Sequence, residues 1–213
     1  VIVAESGSGK SFLMNAMIEP EFCKRDSRIF VIDVGGSYKK LCKVFGGEFI
    51  DFDPSQEFVL NPFEVVGSGA SKEEEGMTVS MLCSIVEMMA SKVDSSGEVT
   101  DALSARQTAT LAEEVTNLYR EKGGAATIDE LVSRLRDSAN ASVADIAYRL
   151  YRFTSESGTG RFFNGKSTVD ISGSKMTVLE LKHLEGLGPQ VLGVMLFLMM
   201  SMMFIFLPRA AVS

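Results

Sequence analysis

Eight residues near the start of the chain, Ala4-Glu5-Ser6-Gly7-Ser8-Gly9-Lys10-Ser11, constrain its fold more than any other segment. They fit the pattern [AG]-x4-G-K-[ST], with Ala4 where Gly is usual. Gly7 and Gly9 let consecutive backbone N–H groups turn inward toward an anion. A helix starting near Lys10 adds the positive end of its dipole. An apolar run (residues 1–4) precedes the loop, and a helical pattern (residues 11–18) follows it. That is the strand–loop–helix context a phosphate-binding loop needs; the plainer alternative is a Gly/Ser turn before a helix. The cofactors expected are ATP and Mg²⁺. Glu5, Ser6, Gly7, Ser8, Gly9, Lys10, Ser11 and Phe12 are the candidate nucleotide contacts. Lys10 would meet the β- and γ-phosphates, and the Ser11 hydroxyl would ligate the metal.

The residues after the loop alternate between strand and helix character. Residues 28–34 (RIFVIDV) form an apolar run closed by an acid and two glycines, as a strand buried on both faces requires. Residues 37–45 read as a short basic helix stopped by Gly46-Gly47, and residues 48–52 as a strand. Pro20 is expected to end or closely follow the first helix. From residue 71 to about 155 strand signals vanish, and four stretches carry apolar residues at helical spacing: 77–92, 101–122, 127–137 and 142–154. Thr127 with Glu130 forms a capping box. Short strands are expected again at 168–171 and 176–181. The fold class is therefore α/β: a P-loop parallel-sheet core with an inserted all-helical subdomain. The expected boundaries are 1–70 for the first part of the core, 71–157 for the insert and 158–213 for the return to the core.

Charge and cysteine usage narrow the function. A net charge of −7 argues against a DNA-coating protein, which needs a dominant basic surface. Three widely spaced cysteines suit neither a disulfide framework nor a zinc site, so a reducing, cytosolic setting is expected. His183 is the sole histidine and has no nucleophile motif beside it, which sets Ser-His-Asp chemistry aside. Lys39, Lys40 and Lys43, with Lys24 and Arg25, form a modest basic cluster that could touch nucleic acid or anionic lipid; a solvated helix face is the plainer reading.

Phosphoryl transfer to water needs further acids. Asp33 ends an apolar run. It reads either as the Mg²⁺ acid or as a strand-end acid shaping the nucleotide pocket. Glu180 lies within a strand; it either faces the site or pairs with Lys182 or Lys175. Arg161 follows Gly158-Thr159-Gly160, a turn able to present an arginine to a γ-phosphate. A solvated arginine is the plainer alternative.

Several stretches together resemble the TraC-type motor ATPases of conjugative transfer and type IV secretion, within the HerA/FtsK group of P-loop proteins. They are SGSGKSFLMN (6–15), FVIDVGGSYKKLCKVFGGEFIDFDP (30–54), LNPF (60–63), GRFFNG (160–165) and TVLELKHLEG (177–186). The resemblance runs from Val1 to about Val194. It implies a RecA-like core truncated at its C-terminus, an ATP-binding motor domain fragment that powers pilus assembly or substrate export. It also implies a cytoplasmic homohexamer, peripheral to the inner membrane and bound to the inner-membrane components of the secretion system. Gly7, Gly9, Lys10 and Ser11 carry over as nucleotide and Mg²⁺ contacts, Asp33 as a second-strand acid and Arg161 as an interface candidate. The family pattern continues with a strand ending in Asp-Glu, the Walker B pair. Residues 204–213 read FIFLPRAAVS instead. The expectation is thus a fragment of a longer chain that binds nucleotide without the groups that hydrolyse it. A non-catalytic nucleotide-binding interaction module is the alternative.

Residues 191–207 are uncharged and carry five of the twelve methionines. Seventeen residues is the short limit of a membrane span, which needs ~17–25. The family register places a buried helix here, with Met as an adaptable filler.

Overall fold

Three short apolar runs build a parallel sheet: β1 (Ile29–Asp33), β2 (Glu48–Asp51) and β5 (Met176–Glu180). The computed structural model describes residues 10–53, 55–65, 72–138, 140–171 and 173–206. Among these, β5 lies between the other two, in the order β1-β5-β2. Val31 and Phe49 both stand opposite Val178. All five residues of β5 are buried, which fits its central place and its Val/Leu-rich sequence.

By contact density the chain divides into two compact units. The first comprises Val1–Gln56, Asp170–Glu185 and Leu207–Ser213. In it, α1 (Lys10–Cys23) and α2 (Lys39–Val44) contribute to a core of Ile18, Tyr38, Cys42, Met176 and Val178. Helix α1 runs through Pro20 to Cys23 rather than ending near it. Proline removes one helical N–H, but Phe22, two residues on, stacks on Phe45 with centroids 4.3 Å apart and holds the last turn in place. Gly46 (φ +63°) stops α2, as its sequence predicts. A Cβ on Gly47 would lie 2.7 Å from the Met176 carbonyl oxygen, so only glycine lets β2 approach β5 there.

The second unit comprises Glu57–Val169 and Gly186–Phe206. Its first helix, α3 (Pro62–Val65), explains the LNPF segment. Asn61 Oδ1 accepts from the Phe63 N–H at 3.1 Å, and Pro62 fills the first helical position, where no donor is needed. The four expected helices form as α4 (Lys72–Ala90), α5 (Ala105–Lys122), α6 (Ile128–Arg136) and α7 (Ala141–Leu150). The Thr127–Glu130 capping box opens α6. A second box, Ser104 with Gln107, starts α5 four residues later than its apolar spacing suggests.

The strand signals do not vanish entirely in this stretch. β3 (Lys92–Val93) pairs antiparallel with β4 (Val99–Asp101) around Gly97, whose φ is +87°. Asp94 Oδ1 fixes that turn by accepting from the N–H groups of Ser96 and Glu98 and from the Ser96 hydroxyl. Conversely, residues 168–171 form no strand. Thr168 instead exchanges two single bonds with Val59: its N–H donates to the Val59 carbonyl and its hydroxyl accepts from the Val59 N–H. One residue's worth of pairing is too little for a ladder.

The Met-rich segment forms α8 (Pro189–Phe206), packed against α3 and α4. Val191, Val194, Met195, Leu198, Met199 and Met202 are buried, so the segment is a core helix. Among the described residues no helix is long and apolar enough to cross a membrane.

Candidate functional site

The C-terminal edge of a parallel sheet is where α/β proteins place ligands. Here that edge carries a row of acids in register: Asp33 of β1, Glu180 of β5 and Asp51 of β2. Asp33 and Glu180 are buried. Each is matched by backbone donors. Asp33 Oδ1 accepts from the Val34 N–H at 3.0 Å, and Oδ2 from the Tyr38 N–H at 3.2 Å at the start of α2. Glu180 Oε1 accepts from the Gly35 N–H at 2.8 Å and the Lys182 N–H at 2.9 Å. Its Oε2 accepts from the Gly36 N–H. The ladder adds the Leu181 N–H to the Asp33 carbonyl and the Phe52 N–H to the Glu180 carbonyl.

Neither lysine pairing expected for Glu180 is the one formed. Lys182 reaches it through its backbone N–H, while the Lys175 ammonium donates to the Lys24 carbonyl and lies over the Phe22 ring. The carboxylate is instead the anion of a small nest made by successive N–H groups, Gly35 and Gly36. Both glycines have positive φ, +113° and +72°, so the DVGGSY segment (33–38) needs them for its turn. The contact between Glu180 and these glycines spans about 145 positions of sequence, and spacing rules do not reach that far.

Of the expected phosphate contacts, Glu5, Ser6, Gly7, Ser8 and Gly9 lie outside the described residues. Lys10 and Ser11 are the first two residues of α1, a 14-residue helix with no acid in its first turn. The first turn of the helix carries no acid, Lys10 adds a positive charge and the dipole favours an anion there, so these residues fit an anionic nucleotide. Phe12 is 81% exposed and so is available to a ligand or a neighbour. The Ser55 N–H bonded to the Asp53 carboxyl holds it below its usual range, and His183 adds a smaller effect. Among the described residues no group of His, Cys, Asp or Glu is arranged to hold a metal by itself.

Arg161 belongs to the second unit, on a 3-10 turn (Gly160–Phe162). The turn is rigid: Phe162 and Phe163 are buried, and Asn164 Nδ2 donates to the carbonyls of Phe153 and Gly160. Asn164 Oδ1 also accepts from the Asp129 N–H at 3.0 Å. Arg161 is exposed, with its guanidinium 4.7 Å from the centroid of the Phe162 ring. Asn164 drew no attention in the sequence, although it sits in the quoted GRFFNG segment.

A central parallel strand flanked by two others, with a helix opened by a Gly-Lys-Ser motif, defines an α/β domain of the P-loop class. The sequence model of the TraG P-loop domain matches residues 1–209, and the chain belongs to that family. Protein TraC of Escherichia coli (strain K12) is 25% identical over 197 residues, covering 86% of this chain and 20% of that protein. The structure of VirB4 of Thermoanaerobacter pseudethanolicus is similar with a TM-score of 0.73. That likeness covers 97% of this chain and 55% of the VirB4 chain at 18% identity, and it bears on the fold alone. The chain therefore spans a fifth of one relative and about half of the other.

Proposed function

We propose that this chain is the nucleotide-binding part of a type IV secretion or conjugative transfer motor, which uses ATP to drive pilus assembly or substrate export. The observation that carries the reading is the family match over residues 1–209, with the Gly-Lys-Ser motif at the head of α1. On this reading the N–H groups of residues 5–9 and the Lys10 ammonium hold the phosphates of ATP, and the Ser11 hydroxyl holds Mg²⁺. Bound Mg²⁺ offsets phosphate charge. The helix dipole and the lysine supply the rest of the positive field. The whole protein would act as a cytoplasmic hexamer against inner-membrane components of the secretion system.

A titration with a fluorescent ATP analogue tests this. Lys10→Ala should lose a charge-assisted contact worth about 2 kcal/mol, weakening binding roughly thirtyfold. Equal affinity of the two proteins would refute the reading.

One observation favours the second reading, a nucleotide-binding interaction module without turnover. The two buried acids at the C-terminal edge of the sheet, Asp33 and Glu180, already spend their oxygens on backbone N–H groups. Steady-state phosphate release by the purified chain, abolished in Lys10→Ala, would remove that reading.

A further inference from the structure

We infer that Glu180 is a positioning residue, the built-in anion that holds the Gly35–Gly36 turn in the shape the nucleotide site uses. The inference rests on the nucleotide-binding reading and extends it to a residue on another strand.

A carboxylate at the end of a central strand is costly to bury unless its charge is compensated. Glu180 is 4% exposed, and the bonds it accepts from the described residues come from three main-chain N–H groups. Two of those donors belong to the turn after β1, and the third belongs to the segment after β5 itself. One side chain thus ties the exits of two neighbouring strands together at the edge where α/β ligands bind. Asp33 fixes the same turn from its other end through Val34 and Tyr38. Gly35 and Gly36 are free to take many conformations by themselves. The carboxylate selects one, with both N–H groups pointing at it.

The geometry also explains why an acid is needed. Glutamine at this position would keep the shape but place an NH₂ group against one of the N–H donors, leaving two donors facing each other. Aspartate would keep the charge on a side chain one carbon shorter. Binding of a nucleotide near this edge then depends on a turn whose order is set from β5.

The test uses the 213-residue chain with Glu180→Gln and Glu180→Asp, read by amide hydrogen exchange and by titration with the fluorescent ATP analogue. In Glu180→Gln, exchange at the Gly35, Gly36 and Lys182 amides should quicken at least about tenfold, while Val31 and Val178 in the sheet stay protected. The nucleotide Kd should rise about tenfold, with Glu180→Asp between wild type and Gln. Unchanged exchange at Gly35 and Gly36 would overturn the inference. Faster exchange with unchanged Kd would also overturn it, since the turn would then be merely structural. If Glu180→Gln does not fold, Gly36→Ala loosens the same turn from the other side, because its φ of +72° strains any side chain. The same two readouts then decide. Failure of the wild type itself to bind ATP is a different result: it removes the nucleotide reading and with it the purpose of the turn, whereas the exchange pattern still reports whether Glu180 holds it.

Discussion

Gly160 has no space for any other residue. A Cβ there would stand 1.7 Å from the Thr154 carbonyl oxygen, a backbone atom that cannot swing aside. The close approach lets Asn164 bridge the Gly160 and Phe153 carbonyls, and that bridge in turn sets Arg161 on the surface. Gly160→Ala should therefore cost roughly 3 kcal/mol, the upper part of the usual overpacking range, read as a fall in the urea midpoint. Arg161→Ala removes the guanidinium from over the Phe162 ring, an interaction of about 1 kcal/mol, and should lower the midpoint less than Gly160→Ala does. The contrast separates the part of GRFFNG that builds the turn from the part that faces outward.

Helix starts in the second unit are set by side chains. Thr127 Oγ1 accepts from the Glu130 N–H, and the Glu130 carboxylate in turn accepts from the Thr127 N–H, both at 3.3 Å. Thr127→Ala should destabilise the chain by about 1 kcal/mol, as cap removals do, measured by urea unfolding; Ser104→Ala at the start of α5 should behave alike. The apolar spacing and this cap are local signals, which is why α6 was legible in the sequence almost to the residue. The β3–β4 hairpin was not. Its strands have two and three residues, too few to establish an alternating pattern. The site divides the same way. The loop motif is contiguous and readable, whereas Glu180 meets Gly35 and Gly36 only through the sheet, so its partners could not be found from its neighbours in sequence. The sequence leaves two readings open, the site or a lysine partner; in the fold the Lys175 ammonium goes to the Lys24 carbonyl, and Lys182 reaches the carboxylate through its backbone N–H.

Across the molecule, acid should weaken the fold through carboxylates on both units. Asp53 is held below its usual range by the Ser55 N–H, Asp94 by the Ser96 hydroxyl, Asp101 by Lys92 and Glu121 by Arg134. A depressed folded pKa contributes stability that is present above the unfolded value, about 4. It is lost as pH falls through the lower folded value. The urea midpoint should therefore be steady from pH 7 to about 5 and decline below about pH 4. These groups are exposed, so added salt should shrink the part due to the Lys92 and Arg134 pairs. A midpoint that rises on acidification would contradict the assignment.

The strand order has a consequence for how the protein is made. A ribosome emits β1 and β2 long before β5, and these two strands do not touch each other. Each waits for the same partner, which emerges only after the whole of residues 57–169 has left the exit tunnel. Until then both strands offer open edges to any other chain nearby. Translation thus leaves the sheet a seam to be closed last. An arrested nascent chain stopped before residue 176 should carry a sheet that cannot form and a helical unit still without α8, its last core helix.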